Sequence, residues 1–340
     1  MRILKYMILA LFFLAAVFFA VGFFFLPSER EVSRSIEIDR PAKMVFKTIN
    51  SMHTFNAWSP WAEIDPETQY TFTGPETGIG SKMSWKSVQK QVGSGTQEII
   101  ESQPNKMIKT KLYFDGQGDG PSYARLIMNE NNGKTTVDWV FNTDFGDDVI
   151  GRYIGTMMDK MLGPQYESGL NNLKTLVEAQ PVYDFTPASI ETIAPMNILY
   201  VSGQANGTPE EISAVLGQDY QKILTTIAEQ NLQMTSQPLT ITRNMDAQGW
   251  TYDAAIPVNA SSVELDINSH VKLGQTYGGK VVKYVQVGPY SLAPTSYKIL
   301  NAYIEDQELE AVGDPWEVYI SDPTSVAESE IITHLYQPVK

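Results

Sequence analysis

Ser33-Arg34-Ser35-Ile36-Glu37-Ile38-Asp39 alternates polar and apolar residues, and Pro41-Ala42-Lys43-Met44-Val45-Phe46-Lys47-Thr48-Ile49-Asn50 does not. The first stretch has the two-residue period of a strand. In the second, Ala42, Val45, Phe46 and Ile49 recur at offsets of three, four and seven, the stripe of an amphipathic helix, with Asp39 placed to cap it. Downstream comes an aromatic loop, Phe55-Asn56-Ala57-Trp58-Ser59-Pro60-Trp61. Six strand-like runs follow: Thr68 to Thr73, Gly80 to Val88, Thr96 to Glu101, Met107 to Phe114, Tyr123 to Met128 and Thr135 to Phe141. Gly93-Ser94-Gly95 and Asn131-Asn132-Gly133 supply turns between them. Ile150 to Ala179 reads as helix, with Ile150, Ile154, Met157 and Met161 and then Leu170, Leu173 and Val177 as its apolar positions, and a break is expected at Gly163-Pro164. Strand, helix, antiparallel meander and closing helix make an α+β unit, a sheet curled around its C-terminal helix.

Upstream, Met7 to Leu26 carries no polar side chain. Twenty helical residues at about 1.5 Å each match the roughly 30 Å of bilayer hydrocarbon. Bulky Phe23, Phe24, Phe25 and Leu26 run straight into Pro27 where a cleaved signal peptide would end in small residues, so an uncleaved single-pass anchor is expected over residues 1–27. Arg2 and Lys5 precede the span and Arg30, Arg34, Arg40 and Lys43 follow it, which leaves orientation open. The short leading tail and the absence of cysteine favour an extracytoplasmic soluble part.

Composition narrows the function. The chain has 340 residues, 43% hydrophobic and 19% charged, enough for two folded domains after the anchor. A net charge of −14, from 25 basic and 39 acidic residues without a basic run, disfavours nucleic acid. Zero cysteines exclude thiolate chemistry and cysteine-ligated metals, and His53, His270 and His334 lie too far apart in sequence to form a ligand motif. No cofactor is expected.

Beyond a Pro-containing linker, Gln180 to Ala188, the chain repeats itself. The first unit has a strand at Met196 to Gln204, a helix opened by the capping box Thr208-Pro209-Glu210-Glu211, and strands at Leu239 to Arg243 and Trp250 to Ile256. The second has a strand at Lys280 to Val287, a helix around Pro294 to Asp306, and strands at Trp316 to Ile320 and Glu330 to Tyr336. Pro238-Leu239-Thr240-Ile241-Thr242 corresponds to Pro315-Trp316-Glu317-Val318-Tyr319, and Ile256-Pro257-Val258 to Gln337-Pro338-Val339. A duplicated β-α-β-β domain is predicted, with a ligand cleft on its pseudo-two-fold axis. Strand alternation puts Glu317 and Tyr319 on one face and Trp316 and Val318 on the other.

Two resemblances extend this reading. Residues 33–179 resemble the SRPBCC, or START-like, superfamily of polyketide cyclases and lipid-transfer proteins. The match is carried by N-A-W-S-P-W at Asn56 to Trp61, by Gly74 to Trp85, and by L-G-P-Q-Y-E-S-G-L-N-N-L at Leu162 to Leu173. It implies a helix-grip fold around an apolar cavity, for which Trp58, Trp85, Trp139 and Met157 are candidate lining residues. No paired carboxylates or Ser/His/Asp set marks this segment as catalytic.

Residues 190–340 resemble the GyrI-like effector-binding domain of AraC-type and multidrug-responsive regulators, through Val287-Gly288-Pro289-Tyr290, Pro315 to Pro323 and Gln337-Pro338-Val339. The resemblance implies a cleft glutamate ringed by aromatics that meets cationic or polarisable ligands, and the match falls on Glu317, with Tyr319, Tyr284, Tyr290 and Tyr252 as further candidates. Its first-unit counterpart is the neutral Thr240. No DNA-reading helix-turn-helix precedes the domain.

The expected function is membrane-anchored binding of a small hydrophobic or cationic molecule, as sensor, carrier or sequestering protein. One alternative is a hydrolase of reactive small molecules with Glu317 as general acid/base and Tyr319 orienting the substrate. Another is a protein-interaction or inhibitory module.

Overall fold

The computed structural model of the chain describes residues 2–116, 120–206, 208–247, 249–263, 265 and 270–340, and they fall into two units, Met1–Pro181 and Val182–Lys340.

The first unit opens with α1 (Arg2–Phe25), an apolar helix in which Gly22 is the one residue that protein buries among those described. Strand β1 (Glu29–Ile38) leads into α2 (Ala42–Ile49), which buries Ala42, Val45 and Ile49 of the stripe read from the sequence and half-buries its fourth member, Phe46. The aromatic loop contains two short helices, α3 (Met52–Phe55) and α4 (Pro60–Ile64). Then come β2 (Gln69–Thr73), β3 (Lys82–Lys86), β4 (Ser94–Gln103), β5 (Met107–Phe114), β6 (Ser122–Asn131) and β7 (Lys134–Asp144). The seven strands form one antiparallel sheet in the order β1-β7-β6-β5-β4-β3-β2. Helices α5 (Val149–Gly155) and α6 (Met158–Glu178) complete the unit.

The sheet grips α6 through Tyr166, Leu170, Leu173 and Val177. Tyr166 stacks on Trp139 at 3.9 Å. Gly169 allows the approach, since a Cβ there would stand 2.7 Å from Trp139 and 2.9 Å from Pro60. The break in the closing helix is not at Gly163-Pro164. Pro164 lies inside α6, and the interruption comes between α5 and α6 at Thr156 and Met157. Packing along the inner face holds the helix through the one backbone bond that proline removes.

The second unit contains β8 (Ala188–Ile193), β9 (Asn197–Ala205), α7 (Pro209–Glu229), β10 (Leu239–Asp246), β11 (Gly249–Pro257), β12 (Lys272–Gln275), β13 (Gly279–Val287), α8 (Ala293–Asp306), β14 (Trp316–Tyr319) and β15 (Ile332–Pro338). The capping box at Thr208 and Glu211 forms. Sheet order is β12-β9-β11-β10-β14-β15-β13-β8, so each β-α-β-β repeat supplies three strands and the repeats join between β10 and β14. Their matching ends behave alike: Val258 donates to the Asn197 carbonyl and Val339 to that of Lys280, both at 2.9–3.0 Å. Edge strands β8 and β12 were not read as strands. β8 begins at Ala188, the last residue of the expected linker, directly after Pro187.

Candidate functional site

The duplication builds the site. Leu239 pairs with Val318, Thr240 with Glu317 and Ile241 with Trp316, which centres the Thr240–Glu317 pair on the pseudo-two-fold axis. On either side the Thr242 amide donates to the Pro315 carbonyl at 2.9 Å and the Tyr319 amide to that of Pro238 at 3.0 Å. Directly opposed residues share a face, so Ala254, Thr240, Glu317, Leu335 and Tyr284 form a row across the sheet. Helix α7 covers β9 and β11 on this face and α8 covers β13 and β15, leaving Thr240 and Glu317 in the gap between them. Trp316 and Val318 point to the opposite face and are core, while Glu317 and Tyr319 are half-buried.

Four tyrosines surround Glu317. Tyr220 reaches in from α7, Tyr297 from α8, Tyr319 from the strand itself, and Tyr290 stands edge-on to Tyr319 at 5.6 Å. The Tyr319 hydroxyl donates to Thr240 Oγ1 at 3.1 Å, and Thr240 Oγ1 lies 2.8 Å from the Tyr220 hydroxyl, which donates to the Leu239 carbonyl at 2.9 Å. Each hydroxyl has one proton, so a Tyr319 proton directed at Thr240 is not available to Glu317. The Tyr297 hydroxyl is close enough to favour the charged carboxylate but makes no well-formed hydrogen bond and is itself buried. Burial therefore dominates and raises the Glu317 proton affinity above that of an ordinary carboxyl, with the nearby Tyr297 hydroxyl opposing the shift. Burial, then the neighbouring carboxylate, raises the Tyr297, Tyr319 and Tyr290 phenols in turn, so the ring stays neutral. Among the described residues no lysine or arginine pairs with Glu317. The same face continues past Tyr319 to Thr333 and Gln286, whose Oγ1 and Oε1 are buried without hydrogen-bond partners in the protein.

Glu317, Tyr319 and Tyr290 thus come together. Tyr284 does not join them: it lies two strands from Glu317, roughly 10 Å away at ordinary strand spacing and beyond Leu335, in the core under α8. Tyr252 is fully buried and donates to Asp219 Oδ2 at 2.8 Å, a structural contact between β11 and α7. Tyr220 and Tyr297 escaped the sequence reading. One signal was available, since Tyr220 precedes Thr240 by the same number of residues as Tyr297 precedes Glu317.

In the first unit, Trp58 and Trp139 meet at 5.1 Å and border a cavity of about 10 Å³ between Ile49, Phe55, Gln97 and Ile108. That is room for about one water and not for an organic ligand. The Trp58 indole N–H is buried without a partner in the protein. Trp85 lies elsewhere, edge-on to Phe114, with its indole N–H on the Val92 carbonyl at 3.3 Å. Met157 does not line the barrel. It is 58% exposed at the start of α6, because the α5–α6 junction turns outward before the closing helix enters the sheet.

Comparison with known proteins agrees with this division. Residues 29–178 match the family described as polyketide cyclase / dehydrase and lipid transport, and residues 186–340 match the GyrI-like small molecule binding domain. No curated protein matches the sequence. Similar solved structures include a hydrolase from Listeria innocua, 19% identical over 45% of this chain and 91% of that one, with a TM-score of 0.35. The EcmrR C-terminal domain is 16% identical over 45% and 96%, at 0.37, and EcmrR in a DNA complex 14% identical over 62% and 88%, at 0.39. Such low scores and identities say nothing about activity. From its anchor-like helix onward the chain carries two domains in tandem, the first matching the polyketide cyclase / dehydrase and lipid transport family and the second the GyrI-like small molecule binding family.

Proposed function

We propose that the chain is a membrane-anchored binding protein whose second domain takes up a hydrophobic organic cation in the cleft between α7 and α8. One observation carries this reading: Glu317 sits between the helices without a basic partner, enclosed by the neutral rings of Tyr220, Tyr290, Tyr297 and Tyr319. A cation offers the carboxylate the counter-charge it lacks, and the ring faces attract the same charge. α1 supports the anchor, being long and apolar enough to cross a bilayer with almost none of its surface covered by protein.

The test is calorimetric titration of the full chain in lipid nanodiscs with tetraphenylphosphonium and, in parallel, the uncharged triphenylphosphine oxide. Saturable binding of the cation that is lost in Glu317→Gln supports the reading. Equal binding of both compounds, or a cation isotherm unchanged by the substitution, refutes it.

The raised proton affinity of Glu317 also suits a general acid/base, which keeps a hydrolase of reactive small molecules as the second reading. Turnover of an electrophilic ester abolished in Glu317→Gln, with folding intact, would favour it.

A further inference from the structure

Helix α5 and the junction behind it carry apolar side chains that protein leaves uncovered. Ile150, Ile154, Met157 and Met161 are 58%, 50%, 58% and 59% exposed. From Val149 to Met158 the one charged residue is Arg152, bounded by Asp147 and Asp148 on one side and by Asp159 and Lys160 on the other. A ten-residue apolar stretch is too short to cross a bilayer and has the length of an interfacial segment.

This stretch lies along α1. Tyr153 stacks on Phe18 at 4.2 Å and donates to the Phe18 carbonyl at 3.0 Å. Val149 and Tyr153 close over Gly22, where a Cβ would stand 2.4 Å from Val149 and 2.8 Å from Tyr153. Arg152 is buried and donates to the Phe23 carbonyl at 2.6 Å and the Leu26 carbonyl at 3.2 Å, with its guanidinium over the Phe23 ring. The Phe23 carbonyl belongs to the last turn of α1, which has no intrahelical donor for it and carries the negative end of the helix dipole, and Leu26 follows that turn directly. Phe18 is seven residues before Phe25, about 10 Å along the axis. If α1 spans the bilayer with its C-terminal end at the hydrocarbon boundary, Tyr153 lies about 10 Å inside that boundary, within the depth an interfacial helix reaches.

We propose that α5 and the α5–α6 junction are a second membrane contact, an interfacial segment whose Ile150, Ile154, Met157 and Met161 are immersed in lipid next to α1. The inference rests on the anchor reading of α1, and continuity with α1 is what selects lipid as the occupant. Arg152 binds the segment to the anchor by satisfying its terminal carbonyls, so the one charge between Val149 and Met158 enters the apolar layer with its partners.

The chain has no cysteine, so single cysteines can be labelled without a background. Ile150→Cys, Ile154→Cys, Met157→Cys and Met161→Cys, each labelled with an environment-sensitive dye, would be reconstituted as full chains in phosphatidylcholine/phosphatidylglycerol vesicles. Phe13→Cys serves as the anchor control and Val88→Cys, on a distant exposed turn, as the water control. Quenching by nitroxide lipids and by aqueous iodide is then compared, with circular dichroism checking that each variant folds. The expected result is lipid quenching at the four positions close to that of Phe13 and well above that of Val88, with blue-shifted emission. Iodide quenching at the level of Val88, with Phe13 still quenched by lipid, overturns the proposal and leaves the anchor standing. Protection from both quenchers means that a protein surface covers the segment and also overturns it. Loss of lipid quenching at Phe13 refutes the anchor, and the interfacial segment with it.

Discussion

Thr240 and Glu317 face each other across the junction of two repeated units, at equivalent positions, and only one of them carries charge. Tyr220 and Tyr297 approach the pair from opposite sides. Tyr220 spends its hydroxyl on Thr240 and Leu239, while Tyr297 leaves its own without a hydrogen bond beside the carboxylate. The two sides of the pair are therefore equivalent in position and unlike in polarity.

Replacing Glu317 by Gln keeps the shape and removes the charge. Affinity for a hydrophobic monocation should fall by at least about 2 kcal/mol, a factor of roughly 30, the order expected for loss of a desolvated charge partner. Because the wild-type carboxyl holds its proton above the ordinary 4.5, wild-type affinity should decline on acidification before ordinary carboxylates titrate, and that of Glu317→Gln should not. Calorimetric titrations over a pH series read both effects.

The same shift predicts a stability change in the unliganded protein. Below 4.5 Glu317 is protonated folded and unfolded, and its burial carries no charge penalty. As pH rises from there through the higher folded value, the unfolded chain loses the proton first and folding stability falls. Glu317→Gln should thus be more stable than wild type at neutral pH, with the difference closing towards acid. Denaturant midpoints of the second domain's transition at three pH values would show it.

Tyr297→Phe removes a buried hydroxyl that has no formed hydrogen bond and retains the ring. Stability should be unchanged or gain up to about 1 kcal/mol. Tyr290→Leu, by contrast, removes a ring face and should cost about 1 kcal/mol of cation affinity, which Tyr290→Phe should preserve. Thermal melts and parallel titrations separate the two.

Tyr252→Phe strips Asp219 of a buried donor and should destabilise the second domain by about 1–3 kcal/mol without a direct effect on ligand. Gly169→Ala drives a methyl into Trp139 and Pro60 and should cost the first domain about 1–3 kcal/mol, read by tryptophan fluorescence during urea unfolding.

Periodicity made most of the fold legible. The alternation at Ser33–Asp39, the stripe of α2 and the repeated endings at Val258 and Val339 are local patterns that the structure keeps. The helix break was misplaced because Pro164 is a local signal overridden by packing around Tyr166 and Leu170. Met157 misled for a related reason: it has the spacing of a core residue, but its segment faces away from the sheet. In the cleft, strand alternation predicts that Glu317 and Tyr319 share a face, but nothing local reports that Tyr220 and Tyr297 lean in from helices far away in sequence. Tyr284 and Tyr252 had the right residue type on the right face, and only the strand count separates them from Glu317.

The Arg152 and Gly22 contacts have a mechanical consequence. A tether ending in a flexible hinge lets its domain swivel, whereas here the guanidinium grips the last turn of α1 and the helix beside it lies flush against the missing side chain of Gly22. Torque about the axis of α1 passes into α5 and from there into β1, so if α1 is held in a bilayer the first domain turns with it as a wheel turns with its axle.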